Sequence, residues 1–431
     1  MNENLRPSVA GHRFLSNAAA NARALVTALL AAVALAPFGA QAQDAPSTPL
    51  AALERAAARE PDDPVLTYLL AVYRARSGDR DGALEALEQL LDKGDGFLPT
   101  AEFFPGVSED RRFVVLRARF ERRLPHIGGA ATKVTLNDRT LIPEGIAYDA
   151  DTRRLYVGSI PRRGVFRIDA AGRLTPFSHT EDDLDAILGL AIDAKRRRLY
   201  AVSTSALTER GRAALRNTVK IYDIDRAILL QSIAVPDAQQ LNDVAFSADG
   251  TLLVTDSAAG AIYRIDPSTA AVATIVKPGG APGANGIASA PDGKHAYVAA
   301  SRRPLRVNLS TGEVVPLVLP PRQNAAAIDG LYWHDGALIG VQNVTTPGRV
   351  IRLVLAPDGY RVTDVQTLLS HHHPAIHEPT TAAIATDGLY LLTRTYVTRF
   401  GDQGVVDRPD TVKPAVILRV PLPTVKRPDA P

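Results

Sequence analysis

No cysteine occurs among the 431 residues, so an oxidising compartment offers this chain no disulfide staples, and its stability must come from packing and from any bound ion. An excess of one charge is also missing. The 49 Lys and Arg against 46 Asp and Glu leave +3, and three arginines with one glutamate in the first 42 residues carry +2 of it. The +1 on the rest of the chain gives no case for a nucleic-acid partner. Long hydrophobic runs are lacking too: Ala24 to Ala36 is 13 residues, apolar apart from Thr27, whereas a bilayer span needs about 20.

That short run has the layout of an export signal. Arg6, Arg13 and Arg23 precede it and Ala40-Gln41-Ala42 follows as a small-x-small cleavage site, so residues 1–42 are expected to be removed, with an uncleaved anchor as the alternative. No arginines are adjacent, which favours a general secretory route to the periplasm or medium. Residues 43–49 read as a flexible lead. Over residues 50–125 the apolar period becomes helical: Leu50, Leu53, Ala57, Leu66, Leu69, Leu70, Tyr73, Ala83, Leu84, Leu87 and Leu90 predict two amphipathic helices broken at Ser77-Gly78-Asp79 and stopped near Gly94. A further helical piece is expected from Glu109 to Arg123. Leu69 to Glu88 resembles the tetratricopeptide pattern, and so few helices must bury their apolar face on the rest of the chain or on a protein partner.

From residue 132 to 422 the chain repeats one pattern six times, leaving residues 423–431 as a tail. The copies open Pro143-Glu144-Gly145-Ile146-Ala147, Leu188-Gly189-Leu190-Ala191, Asn242-Asp243-Val244-Ala245, Asn285-Gly286-Ile287-Ala288, Asp329-Gly330-Leu331-Tyr332 and Thr380-Thr381-Ala382-Ala383. Their spacing of about 40 to 50 residues marks propellers and solenoids. Turns such as Asp249-Gly250, Asp292-Gly293 and Asp335-Gly336 lead into second β-rich runs, because tight hairpins need positive φ. Third and weaker fourth runs complete four antiparallel strands per unit, so the fold class expected is an all-β six-bladed β-propeller with a small N-terminal helical segment. The sixth copy ends near Pro421 without an outer strand, and Thr132 to Leu136 is an orphan strand that would close the ring.

Four copies put an oxygen ligand at the same place: Glu144, Asn242, Asn285 and Asp329. Arranged around an axis, two carboxylates and two carboxamides suit a hard divalent cation. Asp243 and Asp256 read as turn caps. Lys195 to Arg198 reads as a solvated turn, and Trp333 as packing between blades or lining a pocket. His371-His372-His373 reads as a polar loop in preference to a metal trap, because adjacent residues on extended chain point apart.

The runs Pro143 to Ala147, Asn242 to Asp256, Ala284 to Lys294 and Ile328 to Gly330 resemble the gluconolactonase/regucalcin family, the senescence-marker proteins, and its paraoxonase relatives. The resemblance implies a six-bladed propeller whose tunnel holds a divalent cation, calcium in many members, on residues matching Glu144, Asn242, Asn285 and Asp329. Zinc, magnesium and manganese are the alternatives. It implies hydrolysis of a lactone or related ester as the small-molecule substrate, with Asp329 as the base and His377 and Glu378 as candidate proton shuttles. Leu188 and Thr380 depart from the ligand pattern, and no match to the sugar-positioning arginine and glutamate of regucalcin-like members is evident. The other reading is a non-catalytic propeller platform whose helices dock a partner.

Overall fold

The computed structural model describes residues 49–343, 347–400 and 409–423; the expected export segment lies outside them. Six four-stranded antiparallel sheets follow one another along the chain. Five occupy residues 143–176, 186–234, 241–276, 287–316 and 328–369, and the sixth joins three strands within residues 382–420 to the strand Ala131–Thr135. This is the six-bladed propeller that the repeat predicts. Ala131 pairs with Arg419 and Thr135 with Val416, so the orphan strand becomes the outer strand of the last blade. That pairing covers a sheet edge that would otherwise invite association.

Turn chemistry sets the hairpins. In blade 5, His334 pairs with Ala337 across Asp335-Gly336, whose φ values of 46° and 75° are both left-handed, as a two-residue type I′ turn demands. The Lys195 to Arg198 run also lies at a hairpin end, yet it is more than a solvated turn. Arg197 Nη2 donates to Asp149 Oδ2 at 2.8 Å and to Asp225 Oδ1 at 2.7 Å, pinning the fully buried Asp149 of blade 1 to blade 2.

Aromatic rings fill the seams between blades. Tyr148 meets Tyr390 at 5.1 Å, Tyr200 meets Phe246 at 5.2 Å, and Tyr297 stacks on Trp333 at 5.8 Å. Such pairs contribute about 0.5–1.5 kcal/mol each beyond the area they bury. Trp333 therefore does pack between blades.

The helical segment comprises α1 (Pro49–Arg59), α2 (Pro64–Ser77), α3 (Arg80–Lys93) and α4 (Arg111–Glu121). The break at Gly78, with φ 89°, lies where the sequence places it. A second break separates α1 from α2, where the sequence reading had one helix: Asp63 accepts from Val65 N and Leu66 N, and Pro64 starts the new helix. The helices dock on their own ring. Ala326 of the propeller joins the helical core, Arg303 Nη2 donates to Asp63 at 2.7 Å, and Arg322 Nη2 donates to Asp95 at 3.0 Å. The loops carrying these residues lie on the ring face where the inner strands begin. Among the described residues no helix is long and apolar enough to cross a membrane.

Candidate metal centre in the propeller tunnel

Four of the six inner strands reach the axis through an irregular start. Pairing registers shift between Pro143 and Ile146, Ile187 and Leu190, Leu241 and Val244, and Ile328 and Leu331. These bulges hold Glu144, Leu188, Asn242 and Asp329, and a bulge re-aims the side chain it carries. Left-handed φ values recur two residues upstream of the key position: 39° at Ile142, 63° at Gly283, 51° at Ala327 and 42° at Glu378. Three of those four are not glycine, and backbone strain of this kind, of order 1–3 kcal/mol each, gathers at functional sites.

Adjacent blades are laced together at the same level. Gly286 N donates to Asp329 O at 2.8 Å and Gly330 N to Thr380 O at 3.1 Å. Thr381 Oγ1 and Thr380 Oγ1 donate to Glu144 O at 2.5 and 3.2 Å, joining the last blade to the first. The glycine after the ligand position follows from this close approach: a Cβ on Gly145 would stand 1.8 Å from Leu188 O, and one on Gly286 2.3 Å from Asp329 O. The x-Gly signature of the repeat thus records backbone contact between blades.

The side chains form one electrostatic unit. Asp329 Oδ2 accepts from Asn343 Nδ2 at 2.6 Å, and the Asn285 amide lies close enough to favour the charged form of this carboxylate. Asn242 Nδ2 donates to Ser257 Oγ at 2.8 Å, which fixes the orientation of its amide. Glu144 Oε2, Asn285 Oδ1 and Asp329 Oδ1 are buried without any hydrogen-bond partner. Each such orphan costs about 1–3 kcal/mol, so three from different blades in one acidic cluster fit a cation that would satisfy them. The all-oxygen set matches a hard ion such as calcium better than zinc. Burial, then the charges of Asp329 and Asp243, raises Glu144 well above the usual carboxylate range. Burial pushes Asp329 up to about 7 and Asp243 up to about 6.

Asp243 is the main departure from the sequence reading. Asp256 does cap backbone, accepting from Gln239, Gln240 and Ala259, but Asp243 lines the tunnel and its Oδ2 accepts from Ile287 N at 3.1 Å. It stands where other copies carry glycine, and that substitution was the signal available. Tyr332 was also missed. Its hydroxyl accepts from Ala382 N at 2.6 Å, leaving its own proton free, and burial with the nearby carboxylates keeps the phenol protonated. Glu144, Asp243 and Asp329 do not make a tight carboxylate triad: among the described residues only Glu121, His371 and His372 bring three such ligand atoms within 4.8 Å of one another. A cation on the axis would need oxygens besides these three carboxylates, such as the amides of Asn242 and Asn285.

His377 and Glu378 lie away from this cluster, in the loop entering blade 6. Glu378 Oε1 accepts from Thr398 Oγ1 at 2.6 Å and its Oε2 from Thr398 N at 3.2 Å, while the His377 side chain is 48% exposed. Glu102 of the helical segment, exposed at its surface, lies within electrostatic reach of the same loop, where the Glu378 charge opposes its ionisation. On the other side of the axial residues the tunnel widens into a cavity of about 380 Å³ lined by Tyr148, Asp243, Phe246, Trp333 and Thr381.

Residues 139–359 match the family described as SMP-30/Gluconolactonase/LRE-like region. Among solved structures, the chain is similar to a PQQ-bound aldose sugar dehydrogenase from Streptomyces coelicolor, at 18% identity over 69% of this chain and 99% of that one, with a TM-score of 0.48. It is also similar to a gluconolactonase from Xanthomonas campestris, at 16% identity over 69% of this chain and 91% of that one, with a TM-score of 0.45. No curated protein sequence matches it. With half of its length matched, and with the inner strands of the first five blades inside the match, the chain belongs to the SMP-30/gluconolactonase/LRE-like family.

Proposed function

We propose that this chain is an exported, metal-dependent hydrolase of a lactone or related ester, with a divalent cation in the central tunnel. The observation that carries this reading is the set of buried oxygens of Glu144, Asn285 and Asp329 left without partners. Membership of a family named for gluconolactonase supports the lactone, and the arginine-led apolar leader supports export to the periplasm or medium. Glu144, Asn242, Asn285 and Asp329 would hold the ion, calcium first. When bound, it supplies Lewis-acid polarisation of a carbonyl and a lowered pKa for a coordinated water.

The side chains of the site then have distinct tasks. Asp329 has one oxygen held by Asn343 and the other free, so the carboxylate is oriented and still able to take a proton from the attacking water. Water oxygen bonds to the lactone carbonyl carbon, the ring C–O bond breaks, and the leaving alkoxide is protonated. Tyr332, with a free hydroxyl proton, can donate a hydrogen bond to developing negative charge. His377, open to solvent at the tunnel mouth, can exchange the proton with bulk water, and Glu378 lies beside it at 3.9 Å.

A lactone panel assayed with and without chelator tests the reading, together with Asp329→Ala. Turnover should be lost on chelation, restored by calcium, and reduced at least about 100-fold in the variant. Hydrolysis indifferent to both treatments would remove it.

A further inference from the structure

Well outside the tunnel, the helical segment meets the loop between blades 5 and 6 through an unusual group of side chains. Glu121, the last residue of α4, places Oε1 2.8 Å from His371 Nε2 and 3.0 Å from His372 Nε2. All three ligand atoms lie within 4.8 Å of one another. The chain turns at His371 and His372, so two adjacent imidazoles face the same carboxylate, contrary to the expectation for extended backbone. His126 stacks on His372 at 3.4 Å between centroids, and the rings of His371 and His372 lie 3.9 Å apart.

We propose that Glu121, His371 and His372 form a second metal site, of the two-imidazole, one-carboxylate type that takes Zn²⁺, and that it clasps the helical segment to the ring. Three features argue for it. The ligand atoms are nitrogen-rich, unlike the all-oxygen axial set, and imidazole selects zinc over calcium. His372 Nε2 is buried and makes no aligned hydrogen bond despite its short distance to Glu121, so it is free to coordinate. Its Nδ1 meets Ser370 Oγ at 3.2 Å, and that hydroxyl is itself tied to Ile127, the kind of outer support that orients a ligating imidazole.

The geometry asks for little adjustment. Bonds of about 2.0 Å in a tetrahedron give ligand-to-ligand edges of about 3.3 Å, so the two edges from Glu121, at 2.8 and 3.0 Å, need to open by only a few tenths of an ångström, and the third already lies within 4.8 Å. The side chains of Glu121, His371 and His372 are 29%, 17% and 22% exposed, so the cluster lies close to the surface. An ion here would bind only the docked arrangement and so stabilise it.

The test titrates ZnCl₂ into the chelator-stripped full chain by calorimetry, using an Asp329→Ala background to weaken the axial site. One Zn²⁺ per chain should bind and raise the Tm. Adding Glu121→Gln, or His371→Ala with His372→Ala, should weaken that event at least tenfold and abolish the Tm rise. The same histidine variants made with Asp329 intact should keep the calcium response of the tunnel, which separates this site from the proposed hydrolytic one. Zinc binding of unchanged affinity in the Glu121 and histidine variants, or no zinc binding in the Asp329→Ala background, would overturn the proposal.

Discussion

At Asp329 a single carboxylate serves two demands that conflict without an ion. It must be charged to bind a cation or take a proton, yet it is buried with Glu144 and near Asp243. Its pKa of about 7, that of Asp243 at about 6, and the raised value at Glu144 all stand above the unfolded range of about 4. A carboxyl whose folded pKa is raised opposes folding once it ionises, so the ion-free protein should lose stability as pH rises from about 4 through the raised values of this cluster. In chelator, the Tm contributed by this cluster should fall between pH 5 and pH 8, and Glu144→Gln should flatten the fall. Calcium should raise Tm more at pH 8 than at pH 5, because protons and the ion compete for the same oxygens. Asp329→Asn should keep or raise ion-free stability while lowering calcium affinity at least tenfold, measured by calorimetry. A variant that binds calcium as tightly as the parent would remove Asp329 from the ligand set.

At the level of elements, the bulged starts of four inner strands do the positioning, and the packing around them tolerates little. Gly145→Ala would drive a methyl group into the Leu188 carbonyl, and overpacking of that kind typically costs about 1–3 kcal/mol, so a lowered Tm is expected in thermal denaturation. Arg197→Ala would strand the fully buried Asp149 carboxylate between blades 1 and 2, and about 2–4 kcal/mol should be lost in urea unfolding at neutral pH. The six hairpin units and the closing strand were legible because turn residues and alternating apolar runs recur at a fixed period. The four axial oxygen-bearing residues were legible for the same reason, as variations at one repeat position. Asp243 was hidden because Asn-Asp at a strand start also reads as a turn cap, and only its neighbour's backbone N–H reveals what it faces. Glu102 and the Glu121 cluster gave no periodic signal at all, since their neighbours are set by docking between segments 250 residues apart, as for Glu121 and His371.

For the whole molecule, the helical segment sits on the ring face from which the inner strands start, and it brings Glu102 within electrostatic reach of the loop that carries His377 and Glu378. The docking rests on charge as well as on apolar packing: Asp63 caps α2 and also receives Arg302 and Arg303 from blade 4. Asp63→Asn retains the cap but weakens the ion pairs, so faster protease cleavage of the helical segment is expected with the propeller core left intact. The measurement that reaches the central claim most directly is anomalous diffraction from crystals grown with Mn²⁺ as a calcium surrogate. One strong peak on the propeller axis, within bonding distance of Glu144, Asn242, Asn285 and Asp329, is the expected result. A tunnel without any peak, or an ion bound there by none of these four side chains, would contradict it.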